Sequence, residues 1–216
     1  MVKICAVSDL HGNLPDDIPA CDILLIAGDI CHNYCPGAPL EPALQEKWLR
    51  TKWADWLKKQ PANHILATFG NHDFVTHGQG IYIDELVVAK GLRIWFSPWS
   101  NLYNDWAWMK RPDELATYYA AIPEGTDIIV SHGPPYGYGD AVDPRFWTRH
   151  NEDPHLGSKE LVTAIDRVKP SVVVCGHIHS GHGEYQHNRT RIYNVSLVDE
   201  AYKPVYGVTQ FEVEDR

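Results

Sequence analysis

Apolar residues in this chain gather into short, nearly continuous runs rather than alternating with polar ones. The runs occupy residues 2–7, 23–27, 64–69, 92–96, 127–130 and 171–175. Runs of this length without alternation predict strands buried on both faces, with helices covering them. Between them the pattern changes period. Residues 42–59 carry Leu49, Trp53, Trp56 and Leu57 at i, i+4, i+7 and i+8, with Lys52, Lys58 and Lys59 on the other side, which predicts an amphipathic helix. Pro112, Asp113 and Glu114 open a second helix, and residues 157–169 form a third, stopped by Pro170. Residues 189–198 and 207–213 read as more exposed strands. No repeat, low-complexity tract or linker interrupts the pattern, so residues 1–216 are expected to form a single α/β domain with helices outside sheet.

The runs share an ending. Residues 2–7 lead into Ser8-Asp9-Leu10-His11-Gly12, 23–27 into Gly28-Asp29, and 64–69 into Gly70-Asn71-His72-Asp73. Residues 127–130 lead into Ser131-His132-Gly133, and 171–175 into Gly176-His177-Ile178-His179. Sites in α/β folds form outside the carboxyl ends of strands. Five such ends would bring Asp9, His11, Asp29, Asn71, His72, His132, His177 and His179 to one edge. In extended chain, residues two apart point the same way, so Asp9 with His11, and His177 with His179, can reach a common ion. Asn71 and His72 point apart, which leaves His72 facing substrate. Carboxylate, amide and imidazole donors suit Mn, Fe, Zn or Ni. Seven donors exceed the needs of one tetrahedral zinc and match two ions sharing a carboxylate, for which Asp29 is placed between the groups.

Charge and composition narrow the partner. The formal charge is −9, which disfavours a nucleic-acid backbone or an anionic membrane, and no apolar run reaches the roughly 20 residues of a membrane span. The amino terminus is not expected to carry a secretory signal. The five cysteines form neither a redox nor a zinc motif and read as reduced, giving a cytoplasmic expectation. Eight tryptophans are unusual. Trp48, Trp53 and Trp56 belong to a core, while Trp95, Trp99, Trp106 and Trp108 either line a cleft or pack.

The five blocks, in this order, resemble the calcineurin-like metallophosphoesterase superfamily: D-x-H, G-D, G-N-H-[DE], H and G-H-x-H. "SHGPPYGYGD" (131–140), "SPWSNLYNDWAW" (97–108) and "HLGSKEL" (155–161) are further similar to its metallophosphoesterase-domain-containing, brain-protein 239-like group. The resemblance implies a four-layered α/β/β/α sandwich and a dinuclear phosphoesterase using two divalent ions, manganese first among them. It implies one ion on Asp9, His11, Asp29 and His179, the other on Asp29, Asn71, His132 and His177, and His72 as the acid that binds no metal. The substrate expected is a small phosphodiester such as a cyclic nucleotide. The alternatives are a phosphomonoester or, with activity lost, a metal-binding scaffold. Arg145 and Arg149 lie outside the motifs, so no cationic clamp for a monoester is apparent. Asp73 either orients His72 or serves as a turn carboxylate, and Asp140 is a candidate to support a ligand histidine. His32 stands where the superfamily has an acid or amide. His182 is expected at the rim, and Trp99 in the cleft lining.

Overall fold

The computed structural model describes residues 1–35, 37–145 and 153–214, so Arg149 lies outside the described residues. The main strands are β1 (Val2–Val7), β2 (Cys21–Ala27), β3 (Ala62–Thr68), β4 (Glu85–Ala89), β5 (Leu92–Ser97), β6 (Ile128–Ser131), β7 (Val172–Cys175), β8 (Gly183–His187), β9 (Thr190–Asn194) and β10 (Thr209–Val213). They form a four-stranded sheet ordered β10-β1-β2-β3 and a six-stranded sheet ordered β8-β9-β7-β6-β5-β4. The inner pairs of each sheet are parallel, whereas β10, β8 and β4 pair antiparallel.

The two sheets face each other, and helices cover both outer surfaces. Successive residues of one run therefore enter different cores. From β1, Ile4 and Ala6 join Ile23, Leu25, Phe96, Val130 and Val174 between the sheets. Cys5 and Val7 turn outward and meet Leu24, Ile26, Leu49, Trp53 and Trp56. On the far side, Trp95, Ile129 and Val173 lie beneath Leu115, Tyr119, Leu161 and Ile165. Apolar residues at every position are what a strand with two buried faces requires. The result is a four-layered α/β/β/α sandwich.

The helix expected over 42–59 is α1 (Pro42–Trp48), a π-helical turn (Leu49–Trp53) and α2 (Ala54–Leu57) in sequence. Thr51 Oγ1 donates to the Lys47 carbonyl at 2.8 Å within this stretch, the kind of side-chain bond that loosens a helical ladder. The other helices are α3 (Pro112–Ala120) and α4 (Lys159–Val168), the latter capped by Ser158 Oγ accepting from Leu161 N–H. Residues 189–198 correct an expectation. β9 is not an exposed strand, because it lies between β7 and β8 and sends Ile192 to one core and Tyr193 to another. Arg189 and Arg191 gave the segment its polar look, yet Arg191 spends its guanidinium on the Tyr193 hydroxyl and the Glu212 carbonyl. Strands β4 and β8 were not expected. Each closes a two-residue hairpin, at Lys90-Gly91 and Asn188-Arg189, with positive φ at Lys90, Gly91 and Asn188. No helix among the described residues is long and apolar enough to cross a membrane.

Candidate active site

The carboxyl ends of β1, β2, β3, β6 and β7 converge on one edge of the sandwich. Their turns are not extended. Asp9 (φ 55°), His11 (φ 43°), Asp29 (φ 52°) and His177 (φ 69°) all adopt the left-handed region, which costs on the order of 1 kcal/mol or more for a residue with a Cβ. Main-chain bonds hold them there, Asp9 N–H to the Gly28 carbonyl at 3.0 Å and His11 N–H to the Asp29 carbonyl at 2.8 Å. Asp9 and His11 thus share a site through a tight turn rather than through the extended spacing expected. His177 and His179 part company. His177 Nδ1 lies 2.8 Å from Asn71 Oδ1, while His179 Nε2 lies 3.6 Å from Asp9 Oδ1.

Gly176 is required by the approach that follows. A Cβ there would collide with Ser8 Oγ and Asp9 Oδ2. Asp9 instead receives the His177 main-chain N–H at 3.1 Å and the Ser196 hydroxyl at 2.7 Å.

The donor set fits cations. His132 Nδ1–H donates to the Ala27 carbonyl at 2.8 Å, and His179 Nδ1–H to the Asp199 carbonyl at 2.9 Å. Each ring therefore turns an Nε2 lone pair inward. His132 Nε2 stands 2.9 Å from Asn71 Oδ1 and 3.5 Å from Asp29 Oδ1, and His11 Nε2 stands 3.7 Å from Asp29 Oδ2 with no hydrogen-bond partner. The two spacings to Asp29 are long for hydrogen bonds. Two donors each about 2.1 Å from one ion at a tetrahedral angle stand roughly 3.4 Å apart. Three overlapping groups bring their donor atoms within 4.8 Å of one another: Asp9-His11-His179, His11-Asp29-His72 and Asp9-Asp29-His132.

Electrostatics agree. Burial, then the charges of Asp73 and Asp9, push the Asp29 carboxyl well up. Asp9 is also buried, but the His179 ring 3.6 Å away, with the rings of His132 and His11, holds its carboxyl below the usual range. Burial and then neighbouring histidines push His11 well down, and His72 and His177 to about 3. Burial disfavours charge on His179, but Asp9 pushes that ring up, and two carboxyl groups in one dry site call for further positive charge.

The remaining expected residues fall in different places. His72 is 5 % exposed, donates its main-chain N–H to Asp29 Oδ1 at 2.8 Å and lies with its ring 4.4 Å from that of Trp106. Asp73 serves as a turn carboxylate. It accepts the N–H groups of Gly70, Ile30 and Cys31 at 2.8–3.1 Å, tying the β2 and β3 turns together. His32 is exposed, and the amide expected there comes one residue later, where buried Asn33 lies 3.3 Å from His11 Nδ1. Asp140 touches no ligand candidate but bonds His155 Nδ1 at 2.7 Å. His182 does not border the cleft. Its Nδ1–H donates to the Ser196 carbonyl at 2.9 Å, and its ring stacks on Tyr206 at 4.1 Å. Trp99 is buried with its indole N–H on Asp84 at 2.8 Å, away from the lining. Arg145 pairs with Asp143 at 2.6 Å.

A cavity of 470 Å³ opens over the cluster, bordered by Asp29, Asn71, His72, His177 and His179 on its floor. Its outer wall brings residues the sequence reading missed or left undecided: Trp106, His155, Glu200 and Tyr202, with exposed Leu102 and Tyr103 at the mouth. Tyr202 stacks edgewise on His11 at 4.8 Å and His179 at 5.2 Å. Gln45, from α1, was also missed. Its amide donates to the His72 carbonyl and accepts the Phe74 N–H, both at 2.7 Å, clamping the loop that carries His72.

A family model described as calcineurin-like phosphoesterase matches residues 2–181. The human metallophosphoesterase domain-containing protein 1 is 28% identical over 240 residues, covering 94% of this chain and 68% of its own. The solved structure of phosphopantetheinyl hydrolase from Mycobacterium tuberculosis superposes with a TM-score of 0.54 at 15% identity, over 97% of this chain and 95% of that one. The solved structure of TT1561 from Thermus thermophilus gives 0.51 at 13% identity, over 99% of both chains.

Proposed function

The chain belongs to the calcineurin-like phosphoesterase family, and on that footing we propose that it is a dinuclear phosphodiesterase acting on small diesters, cyclic nucleotides among them. Asp9, His11, Asp29 and His179 would hold one ion, and Asp29, Asn71, His132 and His177 the other. Divalent ions held there would supply charge to offset the phosphate oxygens and would lower the pKa of a bound water toward neutral. That local positive charge is how a chain of net charge −9 accepts an anion.

The chain's own residues do the rest. Burial keeps His72 neutral, so its imidazole N–H serves as a hydrogen-bond donor to charge developing on a phosphoryl oxygen. Its main chain is fixed on one side by Asp29 and on the other by Gln45. Trp106 covers the ring and excludes water from that edge.

The observation carrying the diester preference is the lining. Among the described residues bordering the cavity none is Lys or Arg, and Glu200 is acidic. A monoester dianion would find no clamp beyond the ions. A diester monoanion would rest its second ester group against Leu102, Tyr103, Trp106 and Met109. The test is a metal-reconstituted panel of bis-p-nitrophenyl phosphate, p-nitrophenyl phosphate, and 2′,3′- and 3′,5′-cyclic nucleotides. Diester kcat/KM should exceed monoester by about tenfold or more. The reverse order overturns the preference, and no turnover with any divalent ion overturns the enzyme.

A further inference from the structure

Asp140 and His155 stand outside the strand-end cluster yet share its cleft. Asp140 is 1 % exposed. Its carboxylate accepts the N–H of Gly137 at 3.0 Å, that of Gly157 at 2.9 Å and His155 Nδ1–H at 2.7 Å. A carboxylate so supplied makes Nδ1 the donor and leaves Nε2 as the working atom of the ring. The imidazole is about a third exposed, at 35 %, and borders the same cavity as Asn71, His72 and His179.

The segment is braced. The His155 main-chain N–H donates to Asp153 Oδ1 at 3.0 Å, Asp153 Oδ2 accepts the Tyr136 hydroxyl at 2.7 Å, and the Tyr136 ring lies 5.5 Å from that of His155. The other histidines on the cavity differ. His177 and His179 turn toward the candidate metal positions, and no carboxylate bonds either ring nitrogen of His72 among the described residues. His155 is thus the imidazole that is both free of the ligand set and held by a buried carboxylate, the arrangement that orients a proton-transfer group.

We propose that His155, oriented by Asp140, protonates the leaving oxygen of the diester, whose departing group rests on Leu102, Tyr103 and Leu156 at the cavity mouth. This rests on the phosphodiesterase reading. As the water oxygen bonds to phosphorus, the P–O bond to the leaving group breaks. The leaving oxygen takes the Nε2 proton of the His155 imidazolium, whose Nδ1–H stays on Asp140, and departs as an alcohol while the ring is left neutral. The water's proton passes to solvent, and His155 recovers one through its exposed edge. The products are a phosphate monoester and an alcohol. His155 is a catalytic residue in this step and Asp140 a positioning residue.

The test compares a nucleoside phosphodiester with an alkoxide leaving group and its analogue in which sulfur bridges to that group, since a thiolate leaves without a proton. In His155→Gln, kcat for the oxygen ester should fall about 100-fold relative to that for the sulfur ester. Asp140→Asn should show the same selective loss, and imidazole should restore the oxygen ester to His155→Gly. The ¹⁵N spectrum should show His155 protonated at Nδ1 in the wild type. Equal losses on both esters, or none on either, overturn the proposal while the phosphodiesterase reading stands. A wild type that cleaves neither ester with any divalent ion overturns both.

Discussion

The strand-end cluster and the outer wall of the cleft border one cavity but are built by different rules. Asp9, Asp29, Asn71 and His132 are at most 4 % exposed, sit one to three residues past the buried end of a strand and have main chain fixed by bonds between turns. Leu102, Tyr103, His155 and Tyr202 come from longer connections and are half-buried or exposed. Opposed lone pairs and carboxylates in a dry site are tolerable only when the scaffold over-determines their places. A wall that recognises a substituent needs only the right surface chemistry, and loops supply that.

The contrast breaks most sharply at Asp29, the carboxylate that lies within reach of both His11 and His132. Asp29→Ala should abolish high-affinity divalent binding by calorimetry and reduce turnover by more than about 1,000-fold. Retention of two ions per chain would show that Asp29 does not bridge. One step smaller is His72→Ala. Both ions should remain, and kcat should fall by roughly 100- to 1,000-fold, the size of a lost donor to transition-state charge. A His72→Ala chain that loses metal instead would make His72 a ligand, as the His11-Asp29-His72 grouping allows.

The same contrast explains what was legible in the sequence. The cluster was readable because each donor follows a strand end, and strand ends are marked by apolar runs that stop at Gly or Ser. The layering was readable because residues such as Ile4 and Cys5, though adjacent, must both be apolar to serve two cores. The turn geometry was not, since a left-handed Asp9 or His177 leaves no mark that distinguishes it from an extended one. Asp140 was singled out but given the wrong neighbour, because its contacts with Gly137, His155 and Gly157 are made by turns that no strand end marks. Tyr202 and Glu200 carried no signal beyond following an apolar stretch in a turn-rich segment.

The wall itself is tested at Trp106, whose ring lies 4.4 Å from that of His72. Trp106→Ala should raise KM for a nucleotide diester by about tenfold, within the range of one base–aromatic stack. The kcat should fall less, and metal stoichiometry should hold. An equal fall in kcat with KM unchanged would mean that Trp106 acts through His72 rather than on substrate.

The smallest effect is expected at His182, the third histidine of the run 177–182. Its ring stacks on Tyr206 and its Nδ1–H satisfies the Ser196 carbonyl, while the Ser196 hydroxyl donates to Asp9. It is therefore one residue removed from the cluster and absent from the cavity lining. His182→Ala removes one hydrogen bond and one ring stack, together worth about 1–3 kcal/mol of stability, and should change kcat/KM by less than about threefold, a cost under 1 kcal/mol. A larger loss without lost metal would mean that the Ser196–Asp9 bond sets the position of the Asp9 carboxylate. In that case the boundary between cluster and support lies one residue further out than sequence spacing alone suggests.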